Sequence, residues 1–421
     1  MNTIELLTRR KKLFDLMDEN SVAIVFAGIG KIKSEDENYD FFVNTNFFYL
    51  TNIYQENSVL VLIKGLGEEK TYLFVDEYNE LKEKWTGKRL TFDEARILSG
   101  VESIFSTNNF ETMLDLALTN QNNQYGNIQN VYIDLSPEIK VYPNNSTREV
   151  KNGLERKYSY LHYFDLKPLV TRLRMVKSEY EIECLKEAIE RTNQGLNVLI
   201  NYLKPGLFEY SVADKFEFFG RSLSRDGLSF PTIVASGKNS CILHYPTQNE
   251  RIPENEIVLL DLGFRCNNYC ADISRTYPVN GVYSELQKKV YSAVLACNKA
   301  VIEYAKAGLT IRDLQAFATE VLKRESIRLG LMDEDDDIRK YYFHNVSHHL
   351  GIDTHDVSFR DLPLEEGNVI TVEPGLYFSN LGIGVRIEDD ILITNGKAIN
   401  LSSCIKKEIQ DIESLFETKK Q

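Results

Sequence analysis

One aspartate stands where a chain has little room for it. Residues 258–264 read VLLDLGF, apolar on both parities, the pattern of a strand covered on both faces. A carboxylate buried there without a partner is strongly disfavoured, so Asp261 needs a counter-charge or a ligand. The next stretch, 269–276, reads YCADISRT and carries a second acid, Asp272. A hairpin closed by a two-residue loop at Cys266-Asn267 sets Asp261 directly across from Asp272. Opposed residues have Cβ atoms ~4.5–5.5 Å apart, and like charges repel at that spacing. The pairing makes sense if cations lie between the carboxylates.

The same arrangement recurs downstream. Residues 369–378 read VITVEPGLYF and 384–391 read GVRIEDDI. A hairpin about Asn380-Leu381 places Glu373 opposite Glu388, with Arg386 on the face of Glu388 and Tyr377 on that of Glu373. Between the two hairpins lies HNVSHHLGIDTHD, 344–356, which holds four of the six histidines. It supplies one imidazole ligand, taken as His348, with His344 and His355 flanking it. Four carboxylates and one histidine make a hard, oxygen-rich set that suits Mn²⁺, Co²⁺, Mg²⁺ or Fe²⁺ better than a thiolate zinc site does. Bridging carboxylates hold two such ions ~3.5–4 Å apart, a geometry that activates a shared water and polarises a carbonyl.

The rest of the chain bounds the setting. Its 421 residues predict two domains, and 43% hydrophobic with 26% charged residues excludes a disordered or low-complexity protein. A net charge of −13 excludes a general nucleic-acid or anionic-membrane surface. No apolar run reaches the ~18 residues of a membrane span, and the charged opening MNTIELLTRRKK does not read as a signal peptide. Six scattered cysteines do not form a disulfide framework. A cytoplasmic protein is expected. Strands at 21–26, 47–50, 58–63, 70–75 and 131–134 alternate with helical stretches, and 143–153 is rich in turn residues. These spacings predict an α/β N-terminal domain, 1–170. Beyond it, Ser178 followed by Glu181 forms a capping pattern at the head of a helix over 178–202. Further helices near 210–225, 284–305 and 311–329, set among hairpins, predict an α+β domain over 171–421.

These blocks resemble the pita-bread metallopeptidases, nearer the aminopeptidase P branch than the prolidases (Xaa-Pro dipeptidases). The resemblance rests on CILHY (241–245), LLDLG with YCADISRTYPVNG (259–281), HNVSHHLGIDTHDV (344–357), TVEPGLYF (371–378) and GVRIEDD (384–390). NFFYLTN (46–52) and EKWTGKRL (83–90) are similar to the creatinase-like domain that precedes the catalytic one. The fold it implies is an α/β creatinase-like domain followed by an α+β pita-bread domain. The activity it implies is a dinuclear metal-dependent removal of the N-terminal residue from peptides with proline second. A prolidase is the near alternative, and a metal-free creatinase-like relative the remote one. By the same resemblance Asp261, Asp272, His348, Glu373 and Glu388 are metal ligands, with Asp272 and Glu388 bridging. Glu373 also carries a proton to the leaving nitrogen, His244 and His355 contact the scissile region, and His344 lines the proline side. Arg386 and Tyr377 orient Asp261, and Trp85 reaches a neighbouring subunit's site, so a homodimer or homotetramer is implied. Mn²⁺ stands first among the ions, with Co²⁺, Fe²⁺ and Zn²⁺ as alternatives. Asn345, Asn46 and Asn52 depart from the family's usual residues.

Overall fold

The computed structural model describes residues 3–119, 125–136 and 145–418, and the chain forms two compact units, Met1–Leu173 and Arg174–Gln421. In the first unit a six-stranded mixed sheet has the strand Ser21–Phe26 inside it, antiparallel to Val59–Gly65 and parallel to Asn130–Ile133. Its six residues are all buried, as an unbroken apolar run requires. Glu68–Val75 and Ser103–Ser106 extend the sheet on one side, and His162–Asp165 on the other. Val22, Ile24, Val61, Phe74, Phe110 and Leu114 share one core.

Two expectations in this unit are corrected. The aromatic run at 47–50 is not a strand but part of the helix Thr45–Thr51. Asn44 caps it by accepting from the amides of Asn46 and Phe47, and Asn52 ends it in the left-handed region at φ 57°. Caps at both ends outweigh the β-propensity of the aromatics. Asparagine tolerates that φ nearly as glycine does, which accounts for Asn52. The turn-rich stretch at 143–153 falls largely in the helix Asn145–Lys157; residues 143 and 144 lie outside the described residues.

The second unit opens with the helix Glu179–Tyr202, where Ser178 Oγ accepts from the Glu181 amide and the Glu181 side chain accepts from the Ser178 amide. The helices Glu209–Leu223, Glu285–Tyr304 and Ile311–Arg328 follow, the last two also headed by reciprocal caps. Among them Ile257–Leu262 is the centre of a three-stranded antiparallel sheet, between Ile273–Pro278 and Ile233–Ser236. A second sheet joins Val369–Val372, Asp389–Leu392 and Ile399–Asn400, while Gly375–Phe378 pairs with Ile383–Arg386.

The registers of the two hairpins decide where the acids stand. In the first, Asp261 lies across from Ser274, not Asp272. The turn is Asn267-Asn268, at φ 50° and 68°, and not Cys266-Asn267. A two-residue hairpin turn wants positive φ at both central residues, which asparagine accepts and cysteine resists. The slip is two residues, so the faces are preserved and Asp272 meets Asp261 on a diagonal. The second hairpin keeps one register from Val369↔Leu392 through Gly375↔Arg386 to Phe378↔Ile383, which brings Glu373 across from Glu388. Its ladder is interrupted at 373–374 and 387–388. There the buried Asn298 amide donates to the carbonyls of Val372 (3.1 Å) and Ile387 (3.2 Å).

Candidate metal centre

Four carboxylates and an imidazole converge from separate segments of the second unit. Their donor atoms form overlapping groups, each within 4.8 Å: Asp261 with Asp272 and Glu388, His348 with Glu373 and Glu388, and Asp272 with His348 and His355. His348 Nε2 lies 3.4 Å from Asp272 and 3.6 Å from Glu373. Its Nδ1 is 3.0 Å from the His349 carbonyl; a carbonyl only accepts, so the proton sits on Nδ1 and Nε2 presents its lone pair to the acids.

Asp261 and Glu388 are held through their carboxylates, Asp272 and Glu373 through their main chain. Arg386 Nη2 donates to Asp261 Oδ2, leaving Asp261 Oδ1 buried with no hydrogen-bond partner. Ser274 Oγ donates to Glu388 (2.8 Å) and accepts from Arg386 Nε (2.7 Å). The Glu388 amide donates to the Ser274 carbonyl and the Glu373 amide to the Val346 carbonyl. The Asp272 amide donates to Asp390 (3.1 Å).

The electrostatics show a set short of positive charge. Burial pushes the Asp272 and Glu388 carboxyls well up, and the repulsion of neighbouring carboxylates adds to it. Burial raises Glu373 to about 7, against the pull of His348 and Arg386. Burial works against the charge on Arg386, yet Asp261 and its neighbours hold it firmly protonated. One guanidinium among four carboxylates leaves the excess uncompensated. The orphaned Asp261 oxygen and the oxygen-rich donor set fit divalent cations.

Tyr377, His344, His355 and His244 lie around this set, and Trp85 is not among them. Tyr377 OH donates to His344 Nε2 (2.9 Å) and accepts from Arg386 Nη1 (3.3 Å), while His344 Nδ1 donates to the Asn345 carbonyl (2.8 Å). Burial lowers His344 to about 4, with Arg386 adding to it, so its ring is neutral at pH 7. Asn345 is not among the residues at positive φ, and its position makes no demand for glycine. His355 packs edge-on to His348 with ring centroids 4.4 Å apart, and both His355 and His244 are exposed. Trp85 belongs to the first unit, on the helix Glu80–Thr86, and is 83% exposed. Ser274, Asp390 and Asn298 were missed by sequence reasoning. Ser274 and Asp390 do sit inside the quoted DISR and EDD strings, at positions whose partners are distant in sequence.

Comparison with known proteins agrees along the chain. Residues 183–395 match the model of metallopeptidase family M24, and residues 7–125 that of the aminopeptidase P N-terminal domain. A Xaa-Pro aminopeptidase of Haemophilus influenzae is 32% identical, covering 97% of this chain and 96% of its own. A candidate aminopeptidase P of Bacillus anthracis superposes with a TM-score of 0.95 at 36% identity, covering 100% of this chain and 99% of its own. Zinc-substituted aminopeptidase P of Escherichia coli in complex with product gives 0.91 at 30%, over 100% and 99%.

Proposed function

The chain belongs to metallopeptidase family M24, and from that premise we propose how its residues carry out the reaction. It removes the N-terminal residue from peptides with proline in second position, in a hydrolysis that depends on divalent metal. Its fold is a creatinase-like α/β domain followed by an α+β pita-bread catalytic domain; we set the boundary at 170/171.

Asp261, Asp272, His348, Glu373 and Glu388 would hold two ions, with Asp272 and Glu388 as the shared ligands: Asp272, Glu388 and His348 each belong to two of the three donor groups, and of these only the carboxylates have two oxygens to share. Bound there, the ions supply Lewis acidity, lowering the pKa of a water and polarising the scissile carbonyl. The amide before proline is tertiary, has no N–H and sits at a restricted φ, so its nitrogen must receive a proton to leave. Glu373, buried within the set, takes the water's proton and delivers it to that nitrogen. His244 and His355, exposed beside the set, contact the scissile carbonyl. His355 also shares a donor group with Asp272 and His348, which supports a role beside the ligands. Neutral His344, its Nε2 accepting from Tyr377, lines the proline side. Arg386, with Tyr377 against it, fixes Asp261 through one oxygen and leaves the other free to take an ion.

Mn²⁺ is the ion we assign, on the hardness of the set. All six cysteines are free, which supports a reducing, cytoplasmic setting, and no helix among the described residues is long and apolar enough to cross a membrane. Trp85, Leu81 and Tyr78 project apolar surface into solvent, which supports a homodimer or homotetramer in which Trp85 reaches a partner's site.

The convergence of four acids on one arginine carries this reading. The test is hydrolysis of Ala-Pro-Ala and Ala-Pro by protein stripped with chelator and reloaded with Mn²⁺, Co²⁺ or Zn²⁺. Release of alanine from the tripeptide only after reloading is expected, together with loss of turnover in Glu373→Gln. Cleavage of the dipeptide alone would assign the chain to the prolidases instead, and full activity in chelator would remove the metal.

A further inference from the structure

Two cysteines far apart in sequence meet away from the metal centre. Cys184 lies on the helix Glu179–Tyr202, and Cys266 ends the strand Arg265–Cys266 beside the Asn267-Asn268 turn. Asn267 Nδ2 donates to both sulfurs, 3.6 Å from each, so one amide group links the two thiols. Both are buried, 4% and 1% exposed, beneath Asn267, which is itself exposed.

The hairpin is fastened to the helix on either side of the sulfurs. Toward the helix start Tyr269 OH donates to Glu181 (2.8 Å), and one helical turn beyond Glu187 Arg191 Nη1 donates to the Arg265 carbonyl (3.2 Å). The hairpin arm bearing Cys266 is therefore fastened to the helix bearing Cys184 by contacts that do not involve the sulfurs. Their surroundings also differ. The neighbouring Cys266 and the Asn267 amide draw Cys184 down against its burial. Proximity to Cys184, burial and the nearby Glu187 push Cys266 up. The two sulfurs thus differ in environment, the asymmetry that directs thiol oxidation.

We propose that Cys184 and Cys266 form a redox couple, closed to a disulfide by a hydroperoxide and reopened by a small thiol. The Cys184 thiolate attacks the peroxide, the O–O bond breaks, and the departing hydroxide takes a proton to become water, leaving a sulfenic acid. Cys266 then passes its proton by way of Glu187 to the sulfenic oxygen and attacks the Cys184 sulfur, expelling a second water. Two thiols and one hydrogen peroxide give one disulfide and two waters. A reducing dithiol restores the pair by exchange and carries away the oxidation as its own disulfide. The arms of this hairpin run on to Asp261 and Asp272, so the closed form staples to the helix the segment between two metal ligands.

The test uses the full-length, metal-loaded protein. Hydrogen peroxide followed by iodoacetamide in denaturant should leave one pair of cysteines unalkylated, with a reversible mass loss of about 2 Da before alkylation. Trypsin should then release a linked species joining residues 178–186 to 266–275, absent without peroxide and dissolved by dithiothreitol. Fragment ions should place the bridge on Cys266 and not Cys270. In C266S the reaction should stop at a sulfenic acid on Cys184, trapped by dimedone. The proposal is overturned if wild-type protein leaves both peptides unlinked while Cys241 or Cys404 oxidises, or if the bridge runs through Cys270. The wild-type map needs no variant, so a poorly folding C266S would not protect it.

Discussion

Glu388 and Asp389 are neighbours in the chain, both buried, and treated in opposite ways by the fold. Asp389 lies in a closed account of charge. Arg275 Nη2 donates to it (2.7 Å), Lys407 Nζ contacts its other oxygen, and Arg275 also donates to the backbone carbonyls of Ser274, Glu388, Ile405 and Lys406. Burial opposes its ionisation, but Arg275 and Lys407 prevail and hold it below the ordinary carboxylate range. Asp356 is handled alike, between Arg174 and Lys177. Glu388, pointing to the other face, meets Asp272, Glu373 and Asp261 and is driven up. Nothing in the cost of burial separates the two. At Asp389 and Asp356 the chain supplies the cations itself; around Glu388 its own cations fall short, and divalent ions would make up the difference.

The contrast can be broken by mutation of metal-free protein under urea. Arg275→Met leaves Asp389 with Lys407 alone and takes the donor from four backbone carbonyls, and should cost about 3–5 kcal/mol. Glu388→Gln relieves repulsion and should instead raise metal-free stability, on the order of 1–3 kcal/mol, while abolishing activity. Two losses of similar size would mean that both clusters are structural.

Acidity sharpens the same contrast. Folded Glu373 binds its proton more tightly than the unfolded chain does, so the stability it contributes is full below 4.5 and drains away as the pH rises to about 7. Asp272 and Glu388 act in the same direction. Asp389 and Asp356, held low, contribute stability above 3.8 and lose it only as the pH falls below that. Buried His344 and His349, lowered to about 4 and about 3, act in the opposite direction over this interval, so the acids' share is read as a difference: between pH 4.5 and 7 the melting temperature of metal-free wild type should fall by roughly 5 °C relative to Glu373→Gln, and Mn²⁺ at pH 7 should reverse that fall. A difference that stays flat over the interval would contradict the crowding.

The smallest effect belongs to Ser274→Ala. It cuts the hydroxyl that joins Arg386 to Glu388, and Mn²⁺ affinity measured by titration calorimetry should weaken about 10–100-fold. Stability should move by only about 1 kcal/mol. Unchanged affinity would demote Ser274 to packing.

Legibility in the sequence followed the range of the determining contact. Ser178 and Glu181 cap each other across three residues, and the helix begins where that spacing places it. The second hairpin has a short loop and one uninterrupted register, so Glu373 and Glu388 could be set opposite each other by counting. In the first hairpin the count failed by two because the Asn267-Asn268 signal was read one residue early. The helix at 45–51 was hidden because its aromatics argue for a strand, and only the flanking asparagines argue against one. Ser274, Asp390 and Asn298 act on partners more than seventy residues away in sequence, and no local pattern carries that information.

The interrupted ladder of the second hairpin has one more consequence. Glu373 and Glu388 give up bonding across their own hairpin, and their amides bond instead to Val346, two residues before His348, and to Ser274, two residues after Asp272. Each acid is thereby tied through its main chain to the segment bearing another ligand. Fraying of any one segment would release the amides of the rest, so hydrogen exchange at these sites should report a single cooperative opening. Ion affinity and the integrity of the surrounding unit then become one equilibrium, seen from two sides.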